Sequence, residues 1–150
     1  IRDDALNDIV IARKATLQVI SFNIYVNDLY LNNYHADGMI ISTPTGSTGY
    51  NMSAGGPIVE PGAQMILLTP ICPHTLTTRS IVLSAEDRIT VEIAAGRDDI
   101  SLQAEASFDG RNGFEMRTGD RIVITRSAQT TKILKLNQVS FLEVLHRKLI

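Results

Sequence analysis

Several features are scarce or missing from this chain, and each absence excludes a class of protein. Cys72 is the single cysteine in 150 residues, so no internal disulfide can form, which favours a reducing cytoplasmic location. We predict that Cys72 is a buried structural residue rather than a catalytic thiol. No apolar run is long enough to span a bilayer. Net charge is -2 with no basic block, which argues against nucleic acid as a partner.

Metal-ligand patterns and processing signals are also missing. The three histidines share no metal-ligand spacing, which argues against a transition-metal site. We expect a structural role for His74, solvent exposure for His146 and a possible ligand contact for His35. The chain begins Ile1-Arg2 without an initiator Met or signal pattern, so we expect a fragment of a longer protein.

What is present predicts one mainly β domain over residues 1–150. Hydrophobic residues make up 44% and charged residues 20%, a balance typical of a globular chain with a real core. Short alternating segments separated by turn residues predict an antiparallel β-sandwich, with a short helix in the middle and a capped helix at the C-terminus. The predicted strands are 5–11, 17–26, 29–34, 39–41, 65–69, 79–84, 89–93, 100–108, 121–125 and 132–136, and the predicted helices are 50–54 and 140–149.

The most informative stretch is residues 37–57, where an apolar strand leads into a turn of hydroxyls and glycines and then a short helix. Glycines allow close approach of a ligand, and hydroxyls can bind ribose or phosphate oxygens. Free amides at a helix start would favour an anion. The turn lacks the lysine of a Walker loop and the Gly-x-Ser-x-Gly spacing of a nucleophile elbow. An ordinary surface turn that caps a helix is the alternative interpretation.

Three further polar groups are candidate site residues, each with a simpler structural alternative. Asp37 precedes a glycine at the mouth of the central strand and could accept hydrogen bonds from ribose hydroxyls, or could form an ordinary Asp-Gly turn. The pair Asn7-Asp8 could bind a ligand or cap a strand. The pair Asp109-Gly110 is expected to be a hairpin turn first and a site second.

The motif from Asp37 to Tyr50, followed by Ser53-Ala54-Gly55-Gly56-Pro57, resembles the signature of NAD kinases. The family usually has alanine where Gly49 stands, and Asn7-Asp8 resembles its Asn-Glu pair with aspartate replacing glutamate. A segment that begins at Pro73 is also similar to one often seen there. The likeness covers nearly the whole chain.

The resemblance implies the fold and the ligand. It implies a C-terminal β-sandwich domain that binds NAD, and it implies that the NAD site contains Asn7, Asp8, His35, Asp37, Thr48, Gly49, Tyr50, Asn51, Met52, Ser53 and Gly110. The family's Gly-Gly-Asp-Gly motif belongs to an N-terminal α/β domain and is missing from this chain. Its aspartate is the expected base, so we expect no catalytic residue here and no activity from this chain alone.

The resemblance also implies partners and leaves alternatives open. ATP with a divalent metal such as Mg, or polyphosphate, would donate the phosphoryl group to NAD and form NADP. The chain's own N-terminal domain and further copies in a homodimer or homotetramer are the expected protein partners. The alternatives are a related diacylglycerol or sphingosine kinase domain and a non-catalytic β-sandwich that binds a ligand or builds an oligomer.

Overall fold

The computed structural model describes residues 1–14, 18–96 and 101–149, which form two antiparallel sheets and two helices. A 3-10 helix covers Thr45–Thr48, α1 covers Tyr50–Ser53 and α2 covers Phe141–Leu149. In chain order the strands are β1 (Asp8–Arg13), β2 (Ile20–Val26), β3 (Leu29–Ala36), β4 (Gly38–Ser42), β5 (Met65–Ile71), β6 (Ile81–Ser84), β7 (Ile89–Ile93), β8 (Gln103–Phe108), β9 (Arg111–Arg117) and β10 (Arg121–Ile124).

The larger sheet has the strand order β6-β5-β4-β1-β8-β9, and the smaller sheet has the order β10-β7-β2-β3. Alternation along each strand sends every second side chain into the space between the sheets, where the apolar residues form one core. The fully buried core side chains include Ile11, Phe22, Met39, Val91 and Ile93. This arrangement confirms the prediction of a mainly β sandwich.

The hydroxyl-rich turn covers part of the outer face of the larger sheet, so that part is buried as well. All five residues of β4 are buried, although alternation places Ile40 and Ser42 on the face opposite the core. Ile40 pairs with Thr69 of β5, and Thr69 bonds to the helix α1. The turn therefore folds back over the outer side of β4 and β5.

Local signals at both hairpins and at the terminal helix behave as predicted. Asn27 and Asp28 have φ angles of 50° and 65°, and Asp109 and Gly110 have φ angles of 49° and 70°. These left-handed pairs are the geometry that a two-residue hairpin needs, and Asn, Asp and Gly tolerate it best. At the start of α2, the Ser140 hydroxyl and the Glu143 carboxylate exchange hydrogen bonds with each other's backbone N–H groups, which is the predicted capping box.

Three sequence predictions are wrong. Residues 132–136 form no strand, since no strand in the described part of the chain pairs with them, and Leu134 and Leu136 are 85% and 98% exposed. Strand β9 was missed, because charged residues interrupt its alternation. Cys72 is exposed rather than buried, since it sits in a left-handed turn after β5 with a φ of 45°. Leu17 and Ile100, which begin two predicted strands, lie outside the described residues.

Neither helix in the described part of the chain has the length and apolarity needed to cross a bilayer. Helix α2 has no buried residue, although Phe141 and Leu145 are partly covered, and His146 on it is exposed as expected. The functional interest of the fold therefore lies in the sandwich and in the turn on its outer face.

Candidate functional site

The hydroxyl-rich turn is fixed by hydrogen bonds to the loop that follows α1. The buried Ser47 hydroxyl donates to the Val59 carbonyl (3.1 Å) and accepts from the Val59 N–H (2.9 Å). Helix α1 is a single turn of four residues with no side-chain cap. Its macrodipole is therefore small, and any ligand must be bound mainly by side chains and individual amides rather than by a helix end.

The turn is packed directly against the backbone before β1. The Thr43 N–H and hydroxyl donate to the Asn7 carbonyl (2.9 and 3.2 Å), and the hydroxyl also donates to the Leu6 carbonyl (2.7 Å). A Cβ atom on Gly46 would lie 2.1 Å from the Asn7 carbonyl oxygen. Glycine is needed at position 46 for the close approach of these two backbones, and close approach of a ligand to the turn stays a prediction.

Asp109 holds the same backbone from the opposite side. Its carboxylate accepts hydrogen bonds from the backbone N–H groups of Leu6 (2.7 Å), Asn7 (2.7 Å) and Asp8 (3.1 Å). Burial acts to raise the pKa of the Asp109 carboxyl, but these three hydrogen bonds and the Arg111 guanidinium outweigh it and lower the pKa. Asp109 is therefore an ionised anchor that fixes the position of Asn7-Asp8.

Asp8 has the opposite electrostatic environment. Its residue is only 8% exposed, and burial followed by the nearby negative charge of Asp109 raises the pKa of its carboxyl. Two carboxyls on adjoining segments thus have pKa values that are moved in opposite directions. A carboxyl whose charge is poorly solvated is a strong acceptor for a ligand hydroxyl, because the bond replaces lost hydration.

These anchored segments surround one cleft on the outer face of the larger sheet, with a volume of about 330 Å³. Its floor comes from β1 and β8, one wall is the start of α1, and the other wall is the β8–β9 hairpin turn. The lining residues are Asn7, Asp8, Val10, Gly49, Tyr50, Ser107, Asp109 and Gly110. A half-exposed tyrosine ring, amide, carboxylates and a hydroxyl around a small apolar floor suit a base or sugar with several hydroxyl groups.

The structure brings five of the eleven predicted site residues into this cleft, namely Asn7, Asp8, Gly49, Tyr50 and Gly110. Thr48, Met52 and Ser53 belong to the same turn but are not among the lining residues. Asn51 is fully buried beneath the turn.

His35 and Asp37 lie elsewhere, beyond the opposite end of β4. The Asp37 carboxylate is 3.4 Å from the Arg13 guanidinium and 3.9 Å from the His74 imidazole. The backbone N–H of His74 also donates to the His35 carbonyl (2.9 Å). Asp8 and Arg13 are the two ends of β1, and five steps of about 3.3 Å put their backbones roughly 16 Å apart. Asp37 does not share the cleft within one chain.

Two lining residues, Val10 and Ser107, lie outside the sequence predictions, whereas Asp109 is one of the candidates, predicted as a hairpin turn first and a site second. Val10 and Ser107 carry no local signal, because they meet only through the pairing of β1 with β8. Strand pairing between residues almost a hundred positions apart cannot be read from local pattern.

A larger concavity of about 760 Å³ lies at the open edge of the sandwich, between β9, β10 and residues 1–4. It contains none of the predicted site residues, and its floor is core side chains such as Phe108 and Met116. Among the described residues, no three His, Cys, Asp or Glu side chains are arranged to hold a metal ion. The smaller cleft, which contains five of the predicted site residues, is the candidate site.

Comparison with known proteins gives a consistent result. Residues 6–136 match the family model described as the ATP-NAD kinase C-terminal domain. An NAD kinase from Agathobacter rectalis is 59% identical over 145 residues, which is 97% of this chain and 51% of that protein. An NAD kinase from Lachnospira eligens is 49% identical, covering 98% of this chain and 53% of that protein. The chain thus spans about half the length of these curated relatives.

Solved structures agree with the sequence relatives. A crystal structure of yeast NADH kinase complexed with NADH superposes with a TM-score of 0.75 and 34% identity, over 83% of this chain and 35% of that chain. An NAD kinase from Archaeoglobus fulgidus in complex with ATP gives a TM-score of 0.73 and 31% identity, over 83% of this chain and 46% of that chain.

Proposed function

This chain belongs to the family of ATP-NAD kinase C-terminal domains, and on that basis we propose that it supplies the NAD-binding part of an NAD kinase. The complete enzyme would transfer a phosphoryl group from ATP to the 2′-hydroxyl of the adenosine ribose of NAD, giving NADP. The observation that carries the proposal is the cleft that joins Asn7-Asp8 to Gly49-Tyr50 and Gly110.

Each side chain in the cleft suits one part of a dinucleotide. The Asn7 amide and the Asp8 carboxylate would bind the hydroxyls of a ribose or the edge of its adenine. The half-exposed Tyr50 ring would stack on a base or bond to a phosphate through its hydroxyl. Gly49 and Gly110, without side chains, would let the ligand approach the backbone closely.

The phosphoryl-transfer machinery would come from outside this chain. In-line transfer depends on positioning and on electrostatic stabilisation of the transferring group. We assign the base to the Gly-Gly-Asp-Gly aspartate of an N-terminal domain, a motif that is absent from these 150 residues. Mg would enter bound to the phosphates of ATP or polyphosphate. The chain alone would bind NAD without phosphorylating it.

His35 and Asp37 can still serve the dinucleotide if copies of the chain associate. His35, near the end of β3, and Asp37, just before β4, lie too far from their own cleft to complete it, yet the resemblance assigns them to NAD. A homodimer or homotetramer would allow Asp37 of one copy to contact NAD in the cleft of another. A cytoplasmic location stays the prediction drawn from the single cysteine.

Calorimetric titration of the chain with NAD, NADP and a short-chain diacylglycerol tests the proposal. We expect binding of NAD or NADP that Tyr50→Ala weakens about tenfold or more, and no binding of the lipid. Lipid binding without dinucleotide binding would favour the lipid kinase alternative. Binding of neither would favour a structural β-sandwich. An assay of NADP formation from NAD and ATP should give no turnover with this chain alone.

A mixing experiment tests the contribution of a second copy. Chains with Asp37→Ala and chains with Tyr50→Ala are each expected to bind NAD weakly. If Asp37 acts between copies, a mixture of the two variants recovers part of the binding sites, because some clefts then combine intact Tyr50 with intact Asp37. No recovery in mixed oligomers would place both residues on the same NAD within one chain, or exclude Asp37 from binding.

A further inference from the structure

Asn51 is the one predicted NAD-binding residue that is fully buried, with 0% of its surface exposed. A buried amide costs free energy unless its donors and acceptor are hydrogen-bonded. Its Nδ2 donates to the carbonyls of Ser47 (3.0 Å) and Pro57 (2.9 Å), and its Oδ1 accepts from the Thr69 hydroxyl (2.6 Å). Both N–H donors and the oxygen are therefore occupied by protein groups.

These bonds join segments that have no ladder between them. Ser47 lies in the 3-10 helix, Pro57 in the loop after α1, and Thr69 in the middle of β5. The backbone carbonyl of Asn51 also accepts the Gly56 N–H (2.8 Å). A Cβ atom on Gly56 would lie 2.1 Å from the Asn51 Oδ1, so glycine at 56 is needed to fit this side chain.

The fixed residue sits directly beside the wall of the cleft. Gly49 and Tyr50 line the cleft, and Tyr50 is 48% exposed. A helix of four residues without a side-chain cap cannot hold its own orientation. Asn51 follows Tyr50 directly and is bonded to the 3-10 helix and to β5. These bonds therefore hold the backbone from which the Tyr50 side chain extends beside Asn7.

We propose that Asn51 is a positioning residue that fixes Gly49 and Tyr50 over the larger sheet and makes no contact with NAD. The proposal rests on the proposed function for the identity of the ligand. It replaces the expectation that Asn51 belongs to the ligand contacts. Its geometric part, the position of the Tyr50 ring, can be measured without any ligand.

Asn51→Ala in the 150-residue chain is the principal test. It leaves two carbonyls and the Thr69 hydroxyl without their buried partner, so we expect NAD affinity to fall about tenfold or more. In the Tyr50→Ala background, Asn51→Ala should change NAD affinity much less than in the intact chain, because the Tyr50 ring that it positions has already been removed. A full independent loss in that background would mean direct contact and would overturn the proposal.

Two companion variants keep the test decisive. Thr69→Val, outside the cleft, removes a hydroxyl that bonds to Asn51 and also to Ser80 (3.0 Å), and it should weaken NAD binding in the same direction by a smaller factor. Asn33→Ala is the matched control, because Asn33 makes comparable side-chain hydrogen bonds to Ser21 and Asn23 on the smaller sheet. It should lower the melting temperature without changing NAD affinity.

NMR of tyrosine-labelled chain separates failure of this proposal from failure of the proposed function. In Asn51→Ala and Thr69→Val, the ring signals of Tyr50 should shift while those of Tyr25 and Tyr30, on the smaller sheet, stay in place. If the intact chain does not bind NAD, the ring measurement alone decides. Unchanged Tyr50 signals in both folded variants would overturn the positioning role.

Discussion

The two ends of β4 carry similar polar residues but use them differently. At the Ser42 end, the Asn7 backbone is held by Thr43 and Asp109, and its side chain makes no hydrogen bond in the described part of the chain. At the Gly38 end, the Asp37 carboxylate faces Arg13 and His74. The first end has its backbone fixed and side chains available, whereas the second end has its side chains already paired.

This difference teaches what makes a polar cluster a binding site. Groups that are held through their backbone lose little freedom when a ligand arrives, so more of the interaction energy remains as affinity. Groups that are paired through their side chains must first exchange partners. The cleft end is therefore expected to dominate NAD binding within one chain, and five substitutions test that expectation.

Gly46→Ala should have the largest effect, because the added Cβ would lie 2.1 Å from the Asn7 carbonyl oxygen, a backbone atom that cannot move alone. We expect a loss of about 3 kcal/mol in the free energy of unfolding, and loss of NAD binding as the cleft walls separate. Urea denaturation measures the first and calorimetry the second. Gly62→Ala is the control, since its Cβ would meet nothing within 4 Å and stability should hardly change.

Asp109→Ala should have the second-largest effect on stability, because it removes the carboxylate that accepts hydrogen bonds from three backbone N–H groups. We expect about 2 to 3 kcal/mol of destabilisation and weaker NAD binding as Asn7-Asp8 loosens. Asp120→Ala is the control, since that carboxylate accepts one backbone N–H, from Arg117. Equal destabilisation by the two substitutions would contradict the anchoring role.

The same anchor has a pH signature. Since the pKa of Asp109 is lowered by folding, its contribution to stability is complete above the ordinary carboxyl range and is lost as pH falls through the lowered value. The difference in unfolding free energy between the intact chain and Asp109→Ala should therefore shrink below about pH 4. Urea midpoints at pH 7 and pH 3 measure it, and a constant difference would show that charge plays no part.

Asn7→Ala and Asp37→Ala compare the two ends of β4 directly. Removing the unpaired Asn7 amide should weaken NAD binding about tenfold, with little loss of stability because the backbone bonds remain. Asp37→Ala should weaken it less in a sample diluted to single chains, since Asp37 does not share their cleft. Equal effects in dilute samples would remove the distinction between the two ends, whereas a larger Asp37 effect at high concentration would support a second copy.

How much of this was predictable from sequence follows from the range of each interaction. The hairpin turns, the capping box at Ser140 and the strand–turn–helix order depend on neighbours along the chain, so local pattern was sufficient. The strand predicted over residues 132–136 does not form, because an apolar run does not reveal whether a pairing strand exists. The distance between Asp37 and Asn7 could not be predicted, because local pattern does not show which end of a strand lies next to a distant segment.

The site shows the same limit in a sharper form. Two residues of the stretch 43–51 have packing roles that local pattern does not reveal. Gly46 accommodates the Asn7 backbone, and we assign Asn51 to β5 rather than to the ligand. A motif indicates that residues matter together, while only packing distinguishes the residue that touches the ligand from the residue that holds its neighbour.

Asp8→Asn should have the smallest effect on stability and the opposite sign. Because folding raises the pKa of the Asp8 carboxyl, its contribution to stability is complete below the ordinary carboxyl range and is lost as pH rises through the raised value. At pH 7 the intact chain holds a poorly solvated charge beside Asp109, so the neutral amide should raise the urea midpoint slightly, and below about pH 4 the gain should vanish. NAD affinity should fall at the same time, since an amide is a weaker acceptor for ribose hydroxyls than a carboxylate. A lower midpoint at pH 7 would mean that the Asp8 charge is held by favourable contacts, and the cleft would then contain two stabilised carboxylates rather than one anchor and one group kept ready for a ligand.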